Sequence, residues 1–186
     1  MTFTYVGIDL AASPKRCTGF AIIENNTVTR VTCLYSNTDI IRTIEDVCRD
    51  SLCVIAIDAP FDLPSYGYRR VDLEMKRRGL RVLPPSLGPM KILTIRASFI
   101  SRYIKQLAFQ VIETHPRSAL IASRCSDLTQ LLYTLNVHSS RIDIDKLSKD
   151  LVDAIICAVV ALCYIKGCAE PVKAEDGVIW ILTPIC

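Results

Sequence analysis

"VGIDLAASPKRCTGFAII" (Val6–Ile23) sets one carboxylate, Asp9, into the middle of an apolar, strand-forming stretch. On either side of "AASPKR", where a proline and polar residues interrupt the run, Tyr5–Leu10 and Cys17–Glu24 predict two strands. Thr27–Tyr35 predicts a third behind the Asn-rich "ENN", a composition that hairpin connections prefer. The three make an antiparallel meander. A charge among its apolar residues is costly unless something balances or uses it.

Further along, "NTDIIRTIEDVCRD" spaces Ile40, Ile41, Ile44, Val47 and Cys48 at helical intervals behind a cap at Asn37 or Thr38. Leu52–Asp58 is a continuous apolar run, the pattern of a strand covered on both faces in a parallel sheet. From about residue 60 to residue 96 runs a basic excursion, with a helix at Arg70–Arg78 and the turn "LPPSLGP"; connections this long tend to be functional. A helix from about Thr94 to Gln106 leads into a second buried strand, "AFQVIE", which ends at Glu113 and is followed by "THP". Asp127–Leu135 and Ser148–Lys166 read as helices, the latter capped by Gly167, and Gly177–Leu182 as a final strand. No internal repeat or interdomain linker interrupts this order.

At 186 residues, 51% of them apolar, the chain can bury a core of its own, and a single domain over residues 1–186 is expected. Its Gly, Pro and charged content argues against disordered, collagen-like and coiled-coil classes. The N-terminus lacks a basic region followed by a leucine-rich stretch, so a cytoplasmic location is expected. Leu151–Ile165, the most apolar segment, is shorter than the roughly 20 residues that span a bilayer and carries Asp153 near its start. It reads as a buried helix, and no membrane partner is expected. The nine cysteines form no C-x-x-C pair, which argues against a zinc ribbon or thioredoxin motif. Most read as small core hydrophobes; intracellular disulfides of the hyperthermophile kind are the alternative, with no pairing fixed by sequence. The net charge of +3 is unevenly spread: Arg69, Arg70, Lys76, Arg77, Arg78, Arg81, Lys91 and Arg96 face only Asp62, Asp72 and Glu74 in their stretch. Such a cluster is either a solvated helix face or a phosphate-binding surface.

Asp9, Asp58 and Glu113 each end, or nearly end, an apolar strand. Sites in parallel sheets form beyond the carboxyl ends of the strands, so Asp58 and Glu113 are expected on one edge, joined by Asp9 if its strand runs alongside. Asp150 and Asp153, spaced i,i+3, share a helix face. Carboxylates gathered in one crevice repel each other, and the remedy is raised pKa values or a bound cation. Oxygen-only donors select hard ions, so Mg2+ or Mn2+ is the expected cofactor. Two such ions about 4 Å apart would activate water and stabilise the leaving oxygen of a phosphodiester. Each acid also has a plainer reading: a strand-end Asp can form a turn, and Asp150 can sit against its helix dipole. Asp153 resists this, because Ala154–Leu162 behind it contains no polar group.

The order of these elements, with acids in the first strand, at the end of the fourth and on the late helix, resembles the ribonuclease H-like fold. That fold implies a central mixed five-stranded α/β sheet, three antiparallel strands then parallel ones, flanked by helices. "GIDLA", "IAIDAPFDLP", "RRVDLEMKRRG", "PPSLGPM", "IETHP" and "KDLVDAIICAVVA" together resemble the domain of unknown function 429 family, predicted nucleases of that fold. The resemblance implies a metal-dependent nuclease with Asp9, Asp58, Glu113 and Asp153 as catalytic acids and metal ligands, Asp150 joining the ligand set. It also implies Arg70, Asp72, Arg78 and Arg96 as substrate contacts. His115 is a further candidate for phosphate contact or proton transfer, against a plainer role in ordering the turn before Pro116. The implied partner is nucleic acid, DNA or RNA, with a homodimer left open. Two alternatives compete. A non-catalytic binding module on the same fold would need no converging acids. An actin or sugar-kinase-like phosphotransferase would need a glycine-rich phosphate loop where Leu10–Pro14 has no glycine. A serine or cysteine hydrolase is weaker, with no G-x-S-x-G and only His115 and His138 as bases.

Overall fold

Strands that are apolar on both sides must be covered on both sides, and this chain covers them with helices. The computed structural model describes residues 3–140 and 142–186. Among them run β1 (Phe3–Asp9), β2 (Thr18–Glu24), β3 (Thr27–Leu34), α1 (Asn37–Cys48), β4 (Leu52–Asp58), α2 (Arg70–Arg77) and α3 (Gly88–Gln106). There follow β5 (Gln110–Thr114), α4 (Pro116–Ser123), α5 (Leu128–Thr134), α6 (Lys149–Lys166), β6 (Ala169–Ala174) and β7 (Gly177–Leu182). The strands form one sheet in the order β3-β2-β1-β4-β5-β7-β6. β1, β2 and β3 pair antiparallel, whereas β4, β5 and β7 join β1 in parallel. The expected α/β sheet is therefore present, and the β6–β7 hairpin extends it.

The sheet divides the core in two. On one face Val6, Ile8, Phe20, Ile55 and Ile57 pack with Ile40 and Ile44 of α1 and Ala97, Ile100 and Ile104 of α3. On the other, Tyr5, Ala21, Val54, Ala56 and Ile112 pack against α6. Every residue of α6 from Asp153 to Cys163 is buried, as a helix apolar on all sides must be. Two glycines set how deep it lies. A Cβ on Gly7 would stand 2.0 Å from the Ala154 carbonyl oxygen, and one on Gly19 would stand 2.1 Å from that of Asp150. With no side chain at either place, the α6 backbone rests directly on β1 and β2. Among the described residues no helix is long and apolar enough to cross a membrane.

Several elements differ from the sequence expectation. α3 begins at Gly88 rather than near Thr94, because Pro89 occupies its first turn, where proline fits, instead of closing a loop. Pro116 likewise opens α4, which the "THP" stretch did not announce. β6 carries Pro171, which an edge strand tolerates because half its backbone groups need no partner. α1 is capped by Ser36, not Asn37 or Thr38: its hydroxyl accepts the Asp39 N–H and the Asp39 carboxylate accepts its N–H. The cysteines depart furthest. Cys17–Cys33, Cys48–Cys53, Cys125–Cys186 and Cys163–Cys168 are disulfides, and among the described residues only Cys157 is free and buried. Their Cβ atoms meet through strand pairing and helix ends that spacing alone does not reveal.

Gly7→Ala is expected to destabilise the protein by about 3 kcal/mol or more, since the new methyl overlaps helix backbone that cannot swing aside. Gly67→Ala is the milder comparison: nothing lies within 4 Å of the added carbon, and only the left-handed backbone (φ 67°) costs, by about 1 kcal/mol; thermal unfolding followed by circular dichroism separates the two.

Candidate active site

Strand register decides which acids can meet. β1 and β4 pair Asp9 with Asp58, and β4 and β5 pair Ile57 with Glu113 and Asp58 with Thr114. Paired residues share a face and neighbours along a strand alternate, with adjacent strands about 4.8 Å apart. Asp9 lies two residues beyond Gly7, so it and Asp58 point to the α6 face. Glu113, offset by one, follows Val111 to the α1–α3 face. The first turns of α6 then bring Asp150 and Asp153 over Asp9; the Asp150 carbonyl rests on Gly19, the β2 partner of Asp9. All five acids line one cavity of about 680 Å³ at the carboxyl edge of the sheet.

Crowding raises their proton affinities. Burial, then the charges of Asp153 and Asp150, pushes Asp9 up to about 7, against the pull of Lys149 and Arg16. Asp58 is driven well above the carboxylate range by burial and then by Asp9, Asp153 and Glu113. Burial raises Asp153 too, although Lys149 Nζ stands 3.6 Å from its Oδ2. Among the described residues neither Asp9 nor Asp58 forms an ion pair.

Glu113 is treated differently. Arg69 Nη2 donates to its Oε1 at 2.5 Å and Nη1 to its Oε2 at 2.9 Å, while the Phe61 N–H donates to Oε2 at 3.0 Å. The same guanidinium donates to both oxygens of Asp72, from Nη2 at 2.7 Å and Nε at 3.1 Å. All three side chains are buried. Burial lifts the Glu113 pKa and the Arg69 contacts oppose the rise. Removing one member of such a buried group typically costs roughly 3–5 kcal/mol, because an unpaired charge remains.

The other expected contacts are spread widely. His115 lines the cavity and caps α4: its Nδ1 accepts the Ser118 N–H at 3.3 Å. Burial, with Arg117 nearby, lowers its pKa to about 4, so the ring is neutral at pH 7 and its proton sits on Nε2. Arg96 spends its donors on the carbonyls of Ala11 (2.5 Å) and Tyr35 (2.6 Å) and on Asn37 Oδ1 (2.7 Å), tying the β1–β2 connection to the start of α1. Arg70 pairs with Glu175 and Arg78 with Glu170 on the outer side of α2. None of these three arginines lines the cavity. The cations that do line it, besides buried Arg69, are Arg16, Arg81, Arg117 and Lys149, all exposed; Arg81 belongs to the basic cluster seen in the sequence, and the other three were not singled out there. Arg117 and Lys149 sit in the first turns of α4 and α6, against the helix dipole; for Lys149 that departure was legible in the sequence, because α6 was expected, whereas α4 was not.

As placed, no three His, Cys, Asp or Glu side chains among the described residues stand close enough to hold a metal ion. The donor chemistry of Asp9, Asp58 and Asp153 nonetheless suits a hard cation: oxygen only, convergent on one face, and short of positive charge.

A mixed sheet in this order, with acids at the ends of β1 and β4 and on the helix that crosses them, defines the ribonuclease H-like fold. The chain is similar in structure to T. thermophilus RuvC, solved in complex with a Holliday junction substrate. The TM-score is 0.52 over 90% of this chain and 97% of that one, at 11% sequence identity. By sequence the chain belongs to the family described as "Protein of unknown function (DUF429)", whose model matches residues 7–105. No curated protein matches it.

The sign of the pH dependence follows from Asp9. Its folded pKa, about 7, lies above the ordinary 3.8, so the folded state holds the proton more tightly than the unfolded one. The contribution of Asp9 to stability is then fully present below pH 3.8 and is lost as pH rises through about 7. In chelator-containing buffer Asp9→Asn is expected to shift the urea midpoint upward relative to wild type at pH 8, with the gap closing towards pH 4.

Proposed function

We propose that the protein is a metal-dependent nuclease that hydrolyses phosphodiester bonds of nucleic acid, DNA or RNA. The observation that carries this reading is the in-register pairing of Asp9 with Asp58, with Asp153 laid over them by α6, in a cavity rimmed by exposed cations. Asp9, Asp58 and Asp153 would hold Mg2+ or Mn2+, with Asp150 beside them. A divalent ion at such a site lowers the pKa of water and neutralises charge on a phosphodiester. The chain's own groups do the rest. Arg16, Arg117 and Lys149 attract the substrate backbone to the mouth, a contact that positions without reading sequence. His115, neutral and fixed by its α4 cap, offers its Nε2–H as a hydrogen-bond donor that does not switch off between pH 6 and 8. The likeness to RuvC supports the nuclease reading at the level of fold, and the complex of that protein with a Holliday junction substrate makes branched DNA one substrate worth including.

A cleavage screen with Mn2+ over duplex DNA, RNA, RNA–DNA hybrid and branched DNA tests the reading. Wild type is expected to cut at least one of them and Asp9→Asn none, while both unfold cooperatively. Equal cutting by the two proteins would mean contamination; binding without cutting in wild type would favour the non-catalytic module. Affinity should fall with salt. Each neutralised phosphate contributes a slope of about −0.9 in log K against log salt, so Arg117→Ala is expected to flatten the dependence by about that amount.

A further inference from the structure

Glu113 closes β5 much as Asp58 closes β4, yet the two carboxyl groups meet different partners. Both Glu113 oxygens accept hydrogen bonds from within the chain, Oε1 from Arg69 and Oε2 from Arg69 and the Phe61 N–H. Register places it on the face opposite Asp9 and Asp58. Asp72, the acid beside it at the cavity wall, is filled by the same guanidinium. A second divalent ion on that side of the cavity would therefore have to displace a guanidinium that makes four hydrogen bonds to two buried carboxylates. Arginine does not lose its charge in a protein, so no pH change vacates the place.

We propose that Arg69 occupies the position of a second cation, so that the protein binds a single divalent ion at Asp9, Asp58 and Asp153, and Glu113 is a positioning residue. Glu113 ties the Phe61 backbone, just past Asp58, and the start of α2 to the end of β5. It thereby fixes the wall of the cavity without ligating the ion. This assignment depends on the cation site proposed above, and the two can fail separately.

The test is a Mn2+ titration of the full chain at pH 8, with free ion followed by electron paramagnetic resonance and heats by calorimetry, for wild type, Glu113→Gln and Asp9→Asn. Glu113→Gln is expected to fold, because Arg69 and Asp72 remain as a neutral pair and the Gln carbonyl still accepts the Phe61 N–H. One ion per chain is expected in wild type and one in Glu113→Gln. The Kd of Glu113→Gln should change by less than about tenfold, the lower bound for losing a residue that supports a ligand. Asp9→Asn should lose the ion. Two ions in wild type, or a lost or more than tenfold weakened ion in Glu113→Gln, would overturn the single-ion assignment and leave the cation site standing. No ion in wild type would remove the cation site and this assignment with it. If Glu113→Gln does not fold, the wild-type stoichiometry decides alone.

Discussion

The contact on which the site depends is backbone against backbone: α6 lies on β1 and β2 at a distance that only Gly7 and Gly19 permit. Had either position carried a side chain, the helix would ride higher and Asp153 would rise away from Asp9 and Asp58. At the observed depth, α6 brings a third, buried carboxylate to a pair already joined by strand register and leaves that pair half-buried at the cavity. The raised proton affinity of Asp9 follows from that geometry, since burial is its largest cause and the α6 acids come next. Packing and electrostatics are here one event. The apolar run that drives α6 into the core is also what carries Asp153 to the acids.

Much of this was legible in the sequence, and the part that was not has a common cause. Asp9 and Asp58 announce themselves because each closes an apolar run, and Asp153 because it is the last charge before the apolar run Ala154–Leu162 of its helix. Glu113 looks the same in one dimension. Its difference is a one-residue offset against β4, and an offset exists only once a strand has a partner. Arg69 is hidden in the same way. It opens a run of charges in which its neighbour Arg70 is exposed and paired with Glu175, whereas Arg69 itself is buried between two acids. No local pattern tells them apart. The prolines misled for another reason: at Pro89 and Pro116 they start helices, and at Pro171 they sit on a sheet edge, so a residue that breaks structure in the interior marks its boundary.

The basic excursion also changes meaning once folded. Its charge density suggested a surface for phosphates, but its helix α2 is fastened at the N-terminus. The Asp176 carboxylate, in the turn of the β6–β7 hairpin, accepts the N–H groups of Arg70 (2.5 Å) and Val71 (3.0 Å), and Arg69 grips β5 through Glu113. Three acids from three parts of the chain thus hold one helix end, where negative charge is favoured. The excursion is a wall of the cavity more than a free arm. Of the excursion's cations that stay exposed, Arg81 alone stands at the mouth, and the others there come from the β1–β2 connection and the first turns of α4 and α6.

The chain solves the same problem, crowded carboxylates at the ends of parallel strands, in two ways a few residues apart. For Glu113 and Asp72 it supplies a permanent internal cation, and the group is closed. For Asp9 and Asp58 it supplies none among the described residues, and Lys149 stands near Asp153 at 3.6 Å without closing the set. An internal cation there would lower the repulsion that raises Asp9 and Asp58, as Arg69 shows can be arranged on this scaffold. A fold stabilised for its own sake would gain by placing one. The unbalanced face is thus the costly arrangement, and it is the one that leaves carboxylate oxygens free for a cation from solution.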